Sequence, residues 1–273
     1  MSLSGPVPAA RVAGALAGAG FRRWASYRQA AVAGIFTGTV FGVLRCSILL
    51  ATVDSGGGSV AGYDVLGAAT YAFVSQGLTG VVVVFTWLEL AQRVRTGDIA
   101  VDLARPVDLQ LSWLASDLGR GAYAAVARFT VPVAVGALTF GIRAPGSPGR
   151  TLAFVVSVVL AVAVSFGLRF VVNLAAFWLV DIRGVFTFYM VASTLLAGLV
   201  LPVHLFPDWA QVLAWATPFP ALLQVPVDVW TGRAGGPPVL VLLAAQLGWA
   251  VAVLLLGRLV LARAVAKLVV QGG

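Results

Sequence analysis

The stretch ELAQRVRTGDIAVDLARPVDLQLSWLASDLGR, residues 89–120, decides how this chain is read. It carries Glu89, Arg93, Arg95, Asp98, Asp102, Arg105, Asp108, Asp117 and Arg120, and it lies between two apolar segments of membrane length. The chain as a whole is 60% hydrophobic and 10% charged, so a large share of its charge falls in one loop. Charge is costly near a bilayer, and a loop this polar is expected to meet something outside the lipid. The reading is a docking surface for a cytoplasmic partner, in a membrane protein that lacks its own engine.

Outward from this loop the chain is apolar, with a mean hydropathy of +0.98. A helical crossing takes about 20 predominantly apolar residues. Runs of that length predict six spans, at 30–51, 65–91, 121–142, 151–180, 184–203 and 238–261. With the N-terminus inside, the cytoplasmic pieces hold twelve Arg and Lys residues; the other side keeps Arg143, Arg150 and Arg233. That asymmetry places both termini in the cytoplasm. The positive balance then reflects orientation and anionic headgroups, not nucleic acid. The predicted fold is an all-α integral membrane protein with one transmembrane domain over 30–261. Residues 1–29 form a cytoplasmic tail and an interfacial helix closed by Phe21, Trp24 and Tyr27, and residues 262–273 a second tail. Between spans five and six, an apolar region broken by Pro202, Pro207, Pro218, Pro220 and Pro226 predicts short helices that re-enter the outer leaflet. Residues 55–59, Ser-Gly-Gly-Gly-Ser, predict a flexible outer turn.

The residue inventory argues against catalysis. His204 is the single histidine, with no triad-like neighbour in sequence, and it is expected at headgroup level. Cys46 is the single cysteine, which excludes an intrachain disulfide and a multi-cysteine metal site; no metal site is expected. A phosphate-binding loop needs Gly-x-x-x-x-Gly-Lys-Ser/Thr, and the one lysine, Lys267, stands in the C-terminal tail. Nor are paired carboxylates expected at membrane depth, since the nine Asp residues read as loop or span-end positions. Three arginines fall within spans: Arg45, Arg128 and Arg169. Each reads either as snorkelling or as a polar contact along a translocation path. Asn173 follows Arg169 by four residues and shares its helix face.

Within the charged loop, Gly97 and Pro106 divide the sequence. Residues 98–104 predict a short helix with Asp98 as N-cap, and Pro106 suits the first turn of a second one. In that second helix Val107, Leu111, Leu114 and Leu118 share a face bordered by Trp113. This face is expected to rest on the membrane while Asp108 and Asp117 point away.

Four stretches together resemble the membrane permeases of type-2 ABC exporters, in the branch that pairs with a separately encoded ATPase. They are RTGDIAVDLARPV at 95–107, AFWL at 176–179, LPVHLFPDW at 201–209 and PFPALLQVP at 218–226. The first is the most specific; the others are persuasive together. The resemblance implies an ATPase-coupling loop comprising Arg93, Arg95, Gly97, Asp98, Asp102, Arg105, Pro106, Asp108, Trp113 and Asp117. It also implies an interfacial connecting helix at 8–29 and an outer re-entrant pair over 205–230, which contains Phe206, Trp209, Pro218, Phe219, Pro220 and Pro226. Two permease copies, identical or paralogous, would work with two ABC ATPase subunits in the cytoplasmic membrane. ATP and Mg would sit on the partner, and this chain would bind no cofactor. Amphiphilic or hydrophobic substrate would leave the cell. Arg45 in the first span, and Gln224 and Asp228 in the outer region, depart from the pattern. Two other readings are a partnerless secondary carrier, opposed by the missing intramembrane carboxylate, and a membrane-embedded lipid-modifying enzyme, opposed by the missing base and metal ligands.

Overall fold

The computed structural model describes residues 9–82, 88–233 and 235–271. Helix α1 (Ala9–Ala25) precedes α2 (Arg28–Ser55), the first helix long and apolar enough to cross a membrane. Along α2, Gly38, Gly42, Cys46, Leu49 and Val53 recur at steps of three and four and form its buried face. Small residues there let neighbouring backbones approach closely, as in membrane bundles generally. A Cβ at Gly42 would stand 3.0 Å from the Phe73 ring. The glycine-rich turn after α2 leads into a two-residue antiparallel hairpin, β1 (Ser59–Val60) with β2 (Tyr63–Asp64), so the fold is nearly, not wholly, α.

Helix α3 (Val65–Val82) is buried over most of its length and forms the axis of the bundle. Residues 83–87, within the span predicted at 65–91, lie outside the described residues, and by Glu89 the chain has begun α4 (Glu89–Thr96). Gly97 ends α4 in the left-handed conformation at φ +84°, where a side chain would be strained. A short α5 (Ile99–Leu103) follows.

The helix that carries the third predicted span is longer than the span. α6 (Leu109–Ala124), a π turn at Ala125–Phe129 and α7 (Thr130–Thr139) run as one helix of 31 residues, which begins at Leu109. The second helix predicted within the charged loop is the first part of this long helix. Asp108 caps its start by accepting the Leu111 N–H at 2.8 Å, and Pro106 lies ahead of that cap rather than in the first turn. α1 crosses this helix closely: a Cβ at Gly119 would stand 1.8 Å from the Ala17 carbonyl oxygen.

Helix α8 (Pro148–Leu174) starts with Ser147 as N-cap and Pro148 in the first turn, and ends in a 3-10 turn at Ala175–Phe177. Where a full span is predicted at 184–203, α9 (Arg183–Leu196) has only 14 residues. At about 1.5 Å per residue that is short of a crossing. Gly198, at φ +84°, follows its end. The proline-rich region folds as α10 (Asp208–Trp215), a 3-10 turn at Phe219–Ala221 and α11 (Gln224–Thr231). α12 (Val239–Gln271) continues ten residues past the predicted boundary at 261, so the expected tail is helical to Gln271. Among the described residues, five helices are long and apolar enough to span a membrane, and α9 is a shorter apolar helix.

Two apolar cores result. The larger gathers α2, α3, α8 and α11 around Tyr71, Phe73, Val162 and Leu222. The smaller joins Leu90, Ile99, Leu109, Phe166, Phe170 and Leu174, with Val94, Leu103, Trp113, Leu254 and Leu261 against them.

Candidate functional site

The smaller core is the root of a charged platform. Leu90 and Val94 of α4 and Ile99 and Leu103 of α5 bury their side chains against α6, α8 and α12. Polar groups tie the same elements. The Arg93 guanidinium grips Asp102 in a two-pronged pair, 2.5 and 3.0 Å, which locks α4 to α5 across the Gly97 turn. Arg105 reaches the same carboxylate at 3.5 Å but is 64% exposed. At the start of α4, the Ala91 N–H donates to the Asn173 side-chain oxygen at 3.0 Å, while the Asn173 amide donates back to the Arg169 carbonyl at 2.8 Å. Arg95 donates to the Val180 carbonyl beyond α8, its Nε at 2.9 Å. Arg23 of α1 pairs with Glu89 at 3.3 Å, and Arg258 of α12 with Asp108 at 2.9 Å. Asp98, at the N-cap position of α5, accepts a hydrogen bond from Thr96 Oγ1 at 2.7 Å instead of capping the helix. What remains outward is the tip: Asp98, Val101, Arg105, Pro106, Val107 and Asp108 are exposed, and Trp113 lies against the core beneath.

Asp117 belongs elsewhere. It does not point away from the protein; it is 8% exposed and accepts from Arg120 Nε at 2.7 Å and from Arg169 at 2.7 Å. Arg120 also donates to the Gly80 and Val81 carbonyls at 3.1 and 2.8 Å, and the Ser165 hydroxyl donates to the Val82 carbonyl. These carbonyls belong to the last described turn of α3. An Asp–Arg–Arg triad therefore clamps α3 to α6 and α8. Arg169 and Asn173, read from sequence as one face along a path, both sit in this packed interior.

Arg45 and Arg128 are placed differently. They line a cavity of about 810 Å³ between α2, α3, the π turn and the chain after α9, walled mostly by apolar side chains.

At the opposite end from the platform, a buried polar network organises the proline-rich region. Gln224 accepts from the Val203 N–H at 2.8 Å and donates to Tyr63 Oη at 3.1 Å and to Asp228 at 2.9 Å. Tyr71 Oη lies 2.9 Å from Gln224 Oε1 and 2.7 Å from the Gly198 carbonyl. Burial pushes the Tyr63 hydroxyl well above the usual tyrosine range, so it stays neutral. His204, which has no partner near it in sequence, meets Asp228 at 2.8 Å. The signal for this pairing was the two unexpected polar residues of the region, Gln224 and Asp228, four apart on one helix face. Pro226 and Pro220 are buried with them, Phe219 and Phe206 are half-buried, Pro218 lies at the turn, and Trp209 on α10 is exposed.

A multi-pass helical membrane protein with a charged platform on one side of the bundle is the class this architecture defines. The family profile described as "ABC-2 family transporter protein" matches residues 42–272, and the chain belongs to that family. Neither a curated protein nor a solved structure matches the chain. Membership makes it the membrane component of an ABC transporter, an ABC-2-type permease, and implies association with an ABC ATPase.

Proposed function

We propose that this chain is the permease subunit of an ATP-driven exporter in the cytoplasmic membrane, working with a separate ATPase. The observation that carries the reading is the platform: its tip exposes Asp98, Val101 and residues 104–108, while the inner faces of α4 and α5 share one apolar core with α6, α8 and α12. A displacement of the tip by a partner is transmitted to three long helices at once, because packed interiors shift as units rather than deform locally. In this reading the platform and both termini are cytoplasmic, as the cation asymmetry requires. The chain makes six passes, with α9 the short one, completed by local thinning of the bilayer, and α10 and α11 form an outer re-entrant pair. Two permease copies, identical or paralogous, seat on two ATPase subunits that hold ATP and Mg, and the substrate is amphiphilic or hydrophobic.

Charge reversal at the tip tests the assignment. Arg105→Glu or Asp98→Arg is expected to abolish permease-stimulated ATP turnover while the variant still inserts and purifies in normal amount. Wild-type turnover in both variants would contradict it.

A further inference from the structure

The cavity that holds Arg45 and Arg128 carries more than a generic path. Arg128 lies in the π turn, a device that rotates side chains out of the regular helical register. Its guanidinium rests directly over Gly34 of α2, where a Cβ would stand 2.1 Å from the nearest nitrogen, and its stem crosses Gly80 of α3 at 3.3 Å. Two helices thus offer glycine where this side chain passes. Among the described residues the Arg128 side chain makes no hydrogen bond or ion pair. Arg45 makes only long contacts, 3.3 Å to Gln76 and 3.5 Å to the Gly198 carbonyl, and its buried Nε has no hydrogen-bond partner.

Two guanidinium groups without a carboxylate, on one apolar cavity, are electrostatically incomplete. Elsewhere in the same bundle the protein answers buried arginines with Asp117, so the omission here is local. Planar guanidinium groups match carboxylate and phosphate oxygens, and an acid oxygen would satisfy donors that water serves poorly in an apolar wall. Phe41, Leu44, Ile48 and Leu199 offer the remaining surface to a hydrocarbon body. A volume of about 810 Å³ suits a single small amphiphile. Arg128 faces α2 at position 34 and Arg45 stands at position 45, so the cations are spaced about 16 Å along the helix axis.

We infer that this cavity binds an anionic amphiphile, its acidic group held first by Arg128 toward the platform end and then by Arg45 toward the other, with the apolar body against α2. The inference rests on the permease reading, since it names the substrate class of that path.

The test is a binding assay on the full chain in phosphatidylcholine nanodiscs, with a tail-labelled fluorescent dodecanoate and its methyl ester as probes. The wild-type protein is expected to hold the acid at least about tenfold more tightly than the ester, the difference a charge-assisted hydrogen bond supplies. The Arg45→Gln, Arg128→Gln double variant should lose most of that preference and each single variant part of it while ester binding is retained, which shows that the variants are folded; the Lys variants should recover part of it. Equal affinity for acid and ester in the wild type, or a preference that survives in the double Gln variant, overturns the inference. Repeating the assay with phosphatidylglycerol in the disc assigns the source: displacement of the acid marks a lipid headgroup as the ligand, and no displacement marks a free amphiphile. Wild-type protein that co-purifies with an ATPase but shows no acid preference overturns this inference alone. Acid preference without an ATPase overturns the permease reading instead.

Discussion

Asp117 holds two guanidinium groups at once, and that arrangement sets the largest single-residue effect expected in this chain. Removing it leaves Arg120 and Arg169 buried with no described carboxylate between them. Asp117→Leu is therefore predicted to destabilise by about 3–5 kcal/mol, read as a fall in thermal midpoint and yield in detergent. A midpoint equal to wild type would show that the triad does not bind α3 to α6 and α8. Gln224 is the second such residue. Gln224→Leu strips partners from the Val203 N–H, Tyr63 and Asp228 together, each orphaned group costing about 1–3 kcal/mol. The same melting experiment should show the loss, and an unchanged midpoint would mean water takes over these bonds. Both residues were visible in sequence as polar, yet neither role was legible. Asp117 meets Arg169 at a separation of 52 positions and Gln224 meets Tyr63 at 161, and no local pattern encodes such contacts.

Helix packing depends on where the side chains are smallest. α1 lies on α6 because Gly20 and Gly119 let the two backbones touch; a Cβ at Gly20 would stand 2.2 Å from the Ser116 carbonyl oxygen. Gly119→Ala is expected to push α1 away, and mild trypsin should then cut faster at Arg22, Arg23 and Arg28. Wild-type cleavage kinetics would show that the contact is not what holds α1. At this scale the sequence was informative wherever composition changes sharply. The apolar runs mark α2, α3, α8 and α12, and Gly97 marks the turn between α4 and α5 through its need for a positive φ. The failures have two causes. Asp108 starts a helix whose polar residues at 110, 117 and 120 each bond a partner on another helix, so their polarity imitated a surface segment and hid the helix start at Leu109. The opposite error occurred at α9, where continuous apolarity over 184–203 concealed a break at Gly198, where the backbone takes positive φ.

The whole molecule is a bundle clamped at both ends, by an ionic and apolar platform at one and by the Gln224 network at the other. Its orientation is testable with single cysteines, because native Cys46 is buried and stays silent. In intact cells, Ala216→Cys beside α10 is predicted to react with a membrane-impermeant maleimide, and Ser26→Cys only after lysis. The reverse pattern would invert the proposed topology. The central claim is that the platform seats a motor, and the most direct measurement is purification of this chain from native membranes with identification of what accompanies it and assay of ATP turnover. The account predicts a stoichiometric partner containing a phosphate-binding loop, with turnover that disappears in Arg105→Glu. A chain that purifies alone, turns over no ATP and still moves solute would contradict it.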